Sequence, residues 1–231
     1  LSQFVSYRAA KIVAISNAVK DYVIQRGEVS QGVNVSVVYY GFGSEISRRA
    51  QGKSSLVFGT ISRLTEQKDI PTMLEAFALF NNTFPNSSLL IVGEGALRTQ
   101  LERQILRLEI KENVKLLGKT SEIKSFLDSL DVFLLTSLYE GFGMVLLEAI
   151  SRSVPIIASN SRAAIEVLGK DSPSLFPIGD FRELADKMNQ LQDFDFKRKL
   201  LASNQDRLSE FSINKMLNSI DSIYSSVIES H

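Results

Sequence analysis

Short apolar runs alternate with longer amphipathic stretches along almost the whole chain. The apolar runs predict β-strands at residues 12–15, 35–39, 56–61, 88–92, 114–117, 132–135, 155–158 and 175–177. Between these runs, apolar residues recur at the spacing of an α-helix, as Met73, Phe77 and Phe80 do. Apolar strands that alternate with amphipathic helices are typical of a parallel sheet covered by helices on both faces. We therefore predict an α/β fold with a Rossmann-like, six-stranded parallel sheet and two further helices at its C-terminal end.

The same pattern divides the chain into four regions. Residues 1–42 hold a strand, a helix and a strand, too little to close a sheet, and we interpret them as the end of one domain. Residues 43–53 contain Gly, Ser and scattered charge without apolar periodicity, which is typical of a linker. Residues 54–192 hold the six-strand succession of a complete domain, and residues 193–231 follow without strands. Outside the complete domain, helices are predicted at residues 17–26, 196–208 and 213–228.

The composition removes several classes of function. Of the 231 residues, 44% are apolar and 23% are charged, with 26 Lys and Arg against 26 Asp and Glu. This balance indicates a folded chain and gives no basic surface for nucleic acid. The chain has no cysteine and its one histidine is His231, which excludes disulfides, thiolate nucleophiles and zinc sites with two histidines within this chain. Because the chain begins with Leu1 rather than Met, we expect a piece of a longer protein.

Two cations follow the first strand of the complete domain. Arg63 and Lys68 stand between that strand and a helix that begins near Pro71. In a parallel sheet, ligands bind beyond the carboxyl ends of the strands, near the N-termini of the following helices. Two cations at such a turn can hold a diphosphate through charge-assisted hydrogen bonds. A solvated loop with ordinary surface charge remains the alternative.

Two glutamates flank a glycine-containing turn after the fourth strand of this domain. Glu140 precedes Gly141, Phe142 and Gly143, and Glu148 stands in the otherwise apolar helix that follows. The glycines allow a ligand close to the backbone, and an uncapped helix N-terminus offers free N–H groups to an anion or to hydroxyls. A carboxylate in an apolar helix needs a partner, because an unpaired buried charge is costly. Sugar hydroxyls are suitable partners, and a salt bridge is the alternative.

Two other motifs have simpler interpretations. Asp193 and Asp195 have the spacing of a metal-binding Asp-x-Asp motif, but they stand between two helices, where an acidic residue more often caps a helix. Gly93 and Gly95 are similar to the start of a dinucleotide fingerprint, but Arg98 replaces its third glycine and no acidic residue follows the next strand. We therefore predict neither a metal site nor an NAD site.

The cations and the glutamates together resemble the retaining glycosyltransferases of family 4, which have the GT-B fold. Glu140 and Glu148 are similar to the E-x7-E motif of that family, and Arg63 with Lys68 is similar to its Arg-x4-Lys pair.

Further matches extend the resemblance along the chain. The turn at Gly93 and Gly95 is similar to the strand-end Gly-x-Gly of the family, and residues 113–119 are similar to the strand and loop that flank the donor base. The resemblance covers residues 54–192 as a donor-binding domain and residues 11–43 as the closing strands of an acceptor-side domain.

The resemblance implies a role for each matching residue. Arg63 and Lys68 would neutralise the leaving diphosphate, and Glu140 would contact hydroxyls of the donor sugar beside the backbone of the turn that follows it. Glu148 would bind the ribose hydroxyls of the nucleotide. The catalytic residues so implied are Arg63, Lys68 and Glu140. The implied donor-binding residues are Gly93, Gly95, Lys119, Gly141, Phe142, Gly143 and Glu148.

The implied activity is transfer of a sugar from a UDP-, GDP- or ADP-sugar to a glycan, lipid-linked or small-molecule acceptor, with retention at the anomeric carbon. The family requires no metal ion, and no other cofactor is implied. The acceptor would bind through an N-terminal domain that these residues do not include. The expected location is cytoplasmic, with peripheral contact to the inner face of a membrane.

Two alternatives remain open at this stage. One is a non-catalytic nucleotide-sugar-binding module, and the other is a different GT-B enzyme, such as a nucleotide-sugar epimerase. One segment departs from the family pattern, because Arg162, Ala163 and Ala164 stand where members often have Gly-Gly before a glutamate, here Glu166. Cβ atoms therefore stand where bare backbone is expected on the donor-sugar side of the site.

Overall fold

The computed structural model describes residues 9–29, 33–43 and 55–229, which form one six-stranded and one two-stranded sheet. The strands are β1 (Ile12–Ala14), β2 (Val35–Val37), β3 (Val57–Ile61), β4 (Ser88–Val92), β5 (Val114–Gly118), β6 (Val132–Leu135), β7 (Ile156–Ser159) and β8 (Leu175–Phe176). The α-helices are α1 (Asn17–Gln25), α2 (Ile70–Thr83), α3 (Arg98–Arg107), α4 (Ile123–Ser129), α5 (Met144–Ser151), α6 (Arg162–Leu168), α7 (Phe181–Gln190), α8 (Phe194–Leu208) and α9 (Ile213–Ile228). Each predicted strand is present, with bounds shifted by at most two residues. The predicted linker lies outside the described residues, apart from Gly43.

The six-stranded sheet is parallel throughout and has the order β5-β4-β3-β6-β7-β8. The chain moves outward from β3 through β4 to β5 and then returns to place β6 on the other side of β3. Such a reversal is the switch point of a doubly wound sheet, and it opens a crevice between the loops that follow the two central strands. The predicted six-stranded parallel sheet is therefore confirmed, and its order determines which loops meet.

The core consists of two apolar layers, one on each face of this sheet. Along β6, Val132 and Leu134 belong to one layer and Phe133 and Leu135 to the other, and all four are almost completely buried. Alternate residues of a strand point to opposite faces, so a strand that is apolar at every position must be covered on both sides. The predicted two-sided packing is thus observed.

The ends of the C-terminal helices follow from local capping. The Asp193 carboxylate accepts a hydrogen bond from the backbone N–H of Asp195 (2.8 Å) at the start of α8. This helix begins at Phe194, two residues earlier than predicted, because the cap stands there. The side chain of Asp193 thus caps a helix, as its position between two helices predicted. α9 has the predicted bounds, and Ser212 caps it.

The segment β1-α1-β2 forms the separate two-stranded parallel sheet and packs against α6. The Glu166 carboxylate accepts hydrogen bonds from the backbone N–H groups of Asn17 (2.8 Å) and Ala18 (2.6 Å) at the N-terminus of α1. Arg162 forms an ion pair with Asp21 on the same helix. A carboxylate at a helix N-terminus satisfies N–H groups that lack an intrahelical partner and interacts favourably with the helix dipole. We call this contact the Glu166 clasp.

Two further properties concern all described residues. In the three described ranges, no helix is both long enough and apolar enough to cross a bilayer. The same ranges contain no cluster of three or more His, Cys, Asp or Glu side chains with the arrangement of a metal site.

We expect the substitution Glu166→Gln to weaken the Glu166 clasp, because it removes the charge and one of the two accepting oxygens. The expected loss is about 1–2 kcal/mol in the free energy of unfolding. Urea unfolding measures it, and hydrogen exchange at the Asn17 and Ala18 amides locates it. The control is Glu112→Gln, at an exposed carboxylate in the turn before β5. Equal effects of the two substitutions on unfolding and on exchange would contradict the role of the clasp.

Candidate active site at the switch point

The candidate site lies beyond the carboxyl ends of β3 and β6, which are neighbours in the sheet. The loop after β3 spans residues 62–69 and contains a 3₁₀ turn, Glu66–Lys68. The loop after β6 spans residues 136–143 and leads into α5. Because the strand order reverses between these strands, the two loops enclose the crevice in which ligands of doubly wound sheets bind.

Three hydrogen bonds tie the two loops to each other. The Thr136 hydroxyl donates to the backbone carbonyl of Lys68 (2.8 Å), and the backbone N–H of Leu138 donates to the carbonyl of Gln67 (2.9 Å). The side-chain amide of Gln67 in turn donates to the carbonyl of Tyr139 (2.9 Å). The relative position of the loops is therefore fixed by backbone groups on both sides.

Lys68 and Glu140 form an ion pair at the centre of this contact. The Lys68 ammonium binds Oε1 of Glu140, and the Ser137 hydroxyl donates to the same oxygen (2.7 Å). The side chains are only 14% and 10% exposed, so the pair is largely removed from water. Ser137 is itself fully buried, and its carbonyl accepts a hydrogen bond from the Ser159 hydroxyl (2.6 Å) on β7. Ser159 on β7 thus holds Ser137 in place, and Ser137 holds the Glu140 carboxylate.

Arg63 lies on the same loop but faces the solvent. Its guanidinium donates a long hydrogen bond to the side-chain oxygen of Gln67 (3.4 Å), and its side chain is exposed. The two predicted cations therefore differ: Lys68 is largely buried and neutralised by Glu140, whereas Arg63 is exposed. The structure brings Arg63, Lys68 and Glu140 to one crevice, as the strand-end rule predicted.

The turn after β4 supports the loop that carries Arg63. A Cβ atom on Gly93 would lie 1.8 Å from the Ser62 carbonyl oxygen, and one on Gly95 would lie 2.3 Å from the Leu64 carbonyl oxygen. Gly93 also has a positive φ of 141°, which side chains disfavour. These two glycines, predicted as donor-binding residues, thus have a packing role that is visible in the structure. A role in donor binding stays a prediction.

The turn before α5 presents its backbone, while its aromatic side chain is buried. Gly143 has a φ of 84°, and no side chain caps the helix, so the N–H groups at the start of α5 have no partner from a capping side chain. The Phe142 ring stacks on Tyr39 at 5.6 Å and packs edge-on against Phe211 at 5.6 Å between ring centroids. The Gly141 carbonyl accepts a hydrogen bond from the Ser16 hydroxyl. A ligand can therefore meet the backbone of this turn but not the ring of Phe142.

Glu148 lies in a different part of the site, on the wall of a cavity of about 700 Å³. Ser121, Lys124, Arg152 and Phe42 also line this cavity, whereas Lys68 and Glu140 do not. Among the described residues, no hydrogen bond or ion pair reaches the Glu148 carboxylate, and its burial raises its pKa above the ordinary 4.5. A half-buried carboxylate without a partner, beside a cavity large enough for part of a nucleotide, is suited to accept hydrogen bonds from a ligand.

Other predicted and unpredicted residues complete the site. Lys119 is exposed just after β5, two residues before the cavity wall begins, and does not line the cavity. Ser137 and Gln67 hold the site together, and sequence reasoning did not single them out. A polar residue directly after a buried strand was the available signal for Ser137. The sequence offered no comparable signal for Gln67.

A parallel sheet whose strand order reverses beside β3, with helices on both faces, defines a doubly wound α/β domain. Residues 44–206 match the family Glycosyl transferases group 1, and the chain belongs to that family. Its fold matches solved glycosyltransferase structures of the GT-B type.

Several relatives show how far the similarity extends. The crystal structure of Anabaena Alr3699/HepE in complex with UDP and glucose has a TM-score of 0.81 and 26% identity, over 96% of this chain and 64% of that one. The capsular polysaccharide biosynthesis glycosyltransferase CapM of Staphylococcus aureus is 24% identical over 99% of this chain and 65% of its own length. An α-1,4-N-acetyl-D-galactosaminyltransferase of Campylobacter jejuni, which acts on an undecaprenol-diphosphate-linked glycan, is 30% identical over 75% of this chain. The matched part is 49% of that enzyme and 27% of an uncharacterized glycosyltransferase of Methanocaldococcus jannaschii.

We expect Gly93→Ala to destabilise the chain strongly, because its methyl group would collide with the Ser62 carbonyl oxygen. The expected cost is about 3 kcal/mol or more, from backbone strain and overpacking together. Gly179→Ala is the matched control, since Gly179 also has a positive φ of 76° but no atom within 4 Å of an added Cβ. Urea unfolding of both variants separates the collision from the strain. A loss no larger at Gly93 than at Gly179 would contradict the packing role.

We expect Glu148→Gln to raise the free energy of unfolding at neutral pH. Burial raises the pKa of Glu148 in the folded chain above the ordinary 4.5, so the folded state holds this proton more tightly than the unfolded state. Stability must then fall as the pH rises through the window that begins near 4.5. The glutamine side chain does not titrate, so this loss of stability should be absent from the variant. Urea unfolding of both proteins at several pH values across the window measures the difference. A variant less stable than the native chain at neutral pH would show that the carboxylate has a stabilising partner.

Proposed function

We propose that this chain is the donor-binding part of a retaining glycosyltransferase of family 4, which transfers a sugar from a nucleotide-sugar without a metal ion. The observation that carries the proposal is the Lys68–Glu140 ion pair at the switch point, with Arg63 at the same crevice and Glu148 beside the cavity. Family membership and the similarity to Alr3699/HepE, whose structure holds UDP and glucose, support it.

In this proposal, the cations act on the leaving group. Cleavage of the glycosidic bond to phosphate leaves negative charge on the nucleoside diphosphate. Arg63 and Lys68, with the uncapped N-terminus of α5, would stabilise that charge as it develops. Such a fixed set of donors supplies the positive field that a metal ion provides in other sites.

The two glutamates have separate roles in the same proposal. Glu140 would accept hydrogen bonds from donor-sugar hydroxyls, and Glu148 would accept them from the ribose hydroxyls of the nucleotide in the cavity. The spacing of the two residues in the sequence, and the cavity wall that only Glu148 lines, support this division. We therefore interpret the resemblance to the E-x7-E motif as one glutamate for the donor sugar and one for the ribose.

The acceptor is proposed to be a glycan or a lipid-linked glycan. Two relatives support this class by name. An Escherichia coli galactosyltransferase acts on GlcNAc-diphosphoundecaprenol, and the Campylobacter enzyme acts on an undecaprenol-linked glycan. Contact of the protein with the inner face of a membrane belongs to the same proposal.

We expect Arg63→Ala and Lys68→Ala each to weaken the binding of the preferred nucleotide-sugar by roughly 10- to 100-fold, because each removes a charge-assisted hydrogen bond worth about 1.5–3 kcal/mol. Calorimetry with UDP-, GDP- and ADP-glucose identifies the preferred base and measures the loss. Arg198→Ala, at an exposed arginine of α8, is the control and should leave binding unchanged. The proposal is wrong if none of the three nucleotide-sugars binds, or if binding is the same in all variants.

A further inference from the structure

The Glu140 carboxylate faces the crevice with one oxygen occupied and one open. Oε1 accepts from the Lys68 ammonium and from the Ser137 hydroxyl, whereas no described residue donates to Oε2. The pair is nearly enclosed, so its charges are screened weakly by water. An anion that approaches Lys68 therefore meets a neutral pair rather than a free cation, and it lies near a carboxylate of like charge.

We infer that the Lys68–Glu140 pair lets the site distinguish an intact nucleotide-sugar from a free nucleoside diphosphate; this inference rests on the proposed function. A diphosphate that approaches Lys68 must compete with Glu140 for that cation, and the competition lowers its affinity. A nucleotide-sugar brings hydroxyl groups as well, and these donate to the open Oε2 of Glu140. The hydroxyls of the donor sugar thus replace Lys68 as the partner of Glu140. A nucleoside diphosphate, which lacks the donor sugar, does not supply this replacement.

The consequence is a site that favours the substrate over the product of its own reaction. Once the sugar has been transferred, Glu140 loses its hydroxyl partners while the diphosphate still occupies Lys68. The buried carboxylate is then left with the Ser137 hydroxyl alone, which is an unfavourable state for a charge at this depth. Recovery of the Lys68–Glu140 pair therefore assists release of the nucleoside diphosphate.

The test compares Glu140→Gln with the native chain in its binding of UDP, UDP-glucose and UMP by calorimetry. If one of the other bases is preferred, the matching set of GDP or ADP compounds is used. We expect Glu140→Gln to bind the nucleoside diphosphate roughly tenfold more tightly, because the amide cannot neutralise Lys68. The variant should bind the nucleotide-sugar no more tightly, because the neutral amide also accepts more weakly from the sugar hydroxyls. UMP, which lacks the second phosphate, should gain less than UDP.

A double-mutant cycle assigns the effect to Lys68. In the Lys68→Met background, the same change at Glu140 should increase UDP affinity by clearly less than in the native chain. The cation for which the two anions compete is absent there, and only the relief of like-charge repulsion remains. Glu75→Gln is the matched control, since Glu75 on α2 pairs with Arg107 on α3, and it should alter no affinity.

The outcomes separate this inference from the proposed function. If the native chain binds no nucleotide or nucleotide-sugar, the proposed function fails. A second outcome is that nucleotides bind and Lys68→Met weakens their binding, but Glu140→Gln leaves UDP affinity unchanged or lowers it together with UDP-glucose affinity. In that case, only the discrimination by the Lys68–Glu140 pair is wrong. A gain for UDP that is as large in the Lys68→Met background as in the native chain would also overturn it.

Discussion

The ion pair between Lys68 and Glu140 is the contact on which the geometry of this site depends. It joins the loops after β3 and β6, the two strands between which the sheet reverses its order. A pair so weakly exposed is unfavourable unless further hydrogen bonds stabilise it, and the Ser137 hydroxyl donates one to the Glu140 carboxylate. Hydrogen bonds of the Lys68 carbonyl, the Gln67 carbonyl and the Gln67 side-chain amide to the other loop then fix the distance between the loops. The site is therefore preorganised by the central strands of the sheet rather than by its peripheral helices.

A second constraint comes from the close packing of backbone beneath the loop after β3. The turn after β4 approaches Ser62 and Leu64 so closely that it accepts only hydrogen atoms at Gly93 and Gly95. The loop after β3 thus rests on one neighbouring turn and is held from the other side by the loop after β6. Arg63, which is exposed above this support, gains a fixed backbone position while its side chain stays accessible. A closely packed backbone beneath an exposed side chain suits a residue that must reach a ligand.

The sequence predicted the layers of the fold well, and the site in part. The apolar runs identified each strand, most clearly β6, because a strand that is buried on both faces is apolar at every position. The rule that the carboxyl ends of parallel strands share an edge predicted that Lys68 and Glu140 lie at one edge of the sheet, but the ion pair between them was not predicted. The burial of the Phe142 ring did not follow, because Tyr39 and Phe211, its partners, lie about a hundred and about seventy residues away in the chain. The contacts of Gln67 likewise depend on loop conformation, which periodicity does not encode.

The Glu166 clasp has a consequence for motion within the molecule. Glu166 binds the first N–H groups of α1, and Ser16, the cap of that same helix, binds the Gly141 carbonyl next to Glu140. One helix terminus is thereby connected both to α6 and to the turn that carries Glu140. Any rotation of β1-α1-β2 away from α6 must separate the Glu166 carboxylate from the amides of α1. The same rotation must break the Ser16–Gly141 hydrogen bond or displace the backbone beside Glu140. The position of the N-terminal segment and the position of the backbone beside Glu140 are therefore coupled through the first turn of α1.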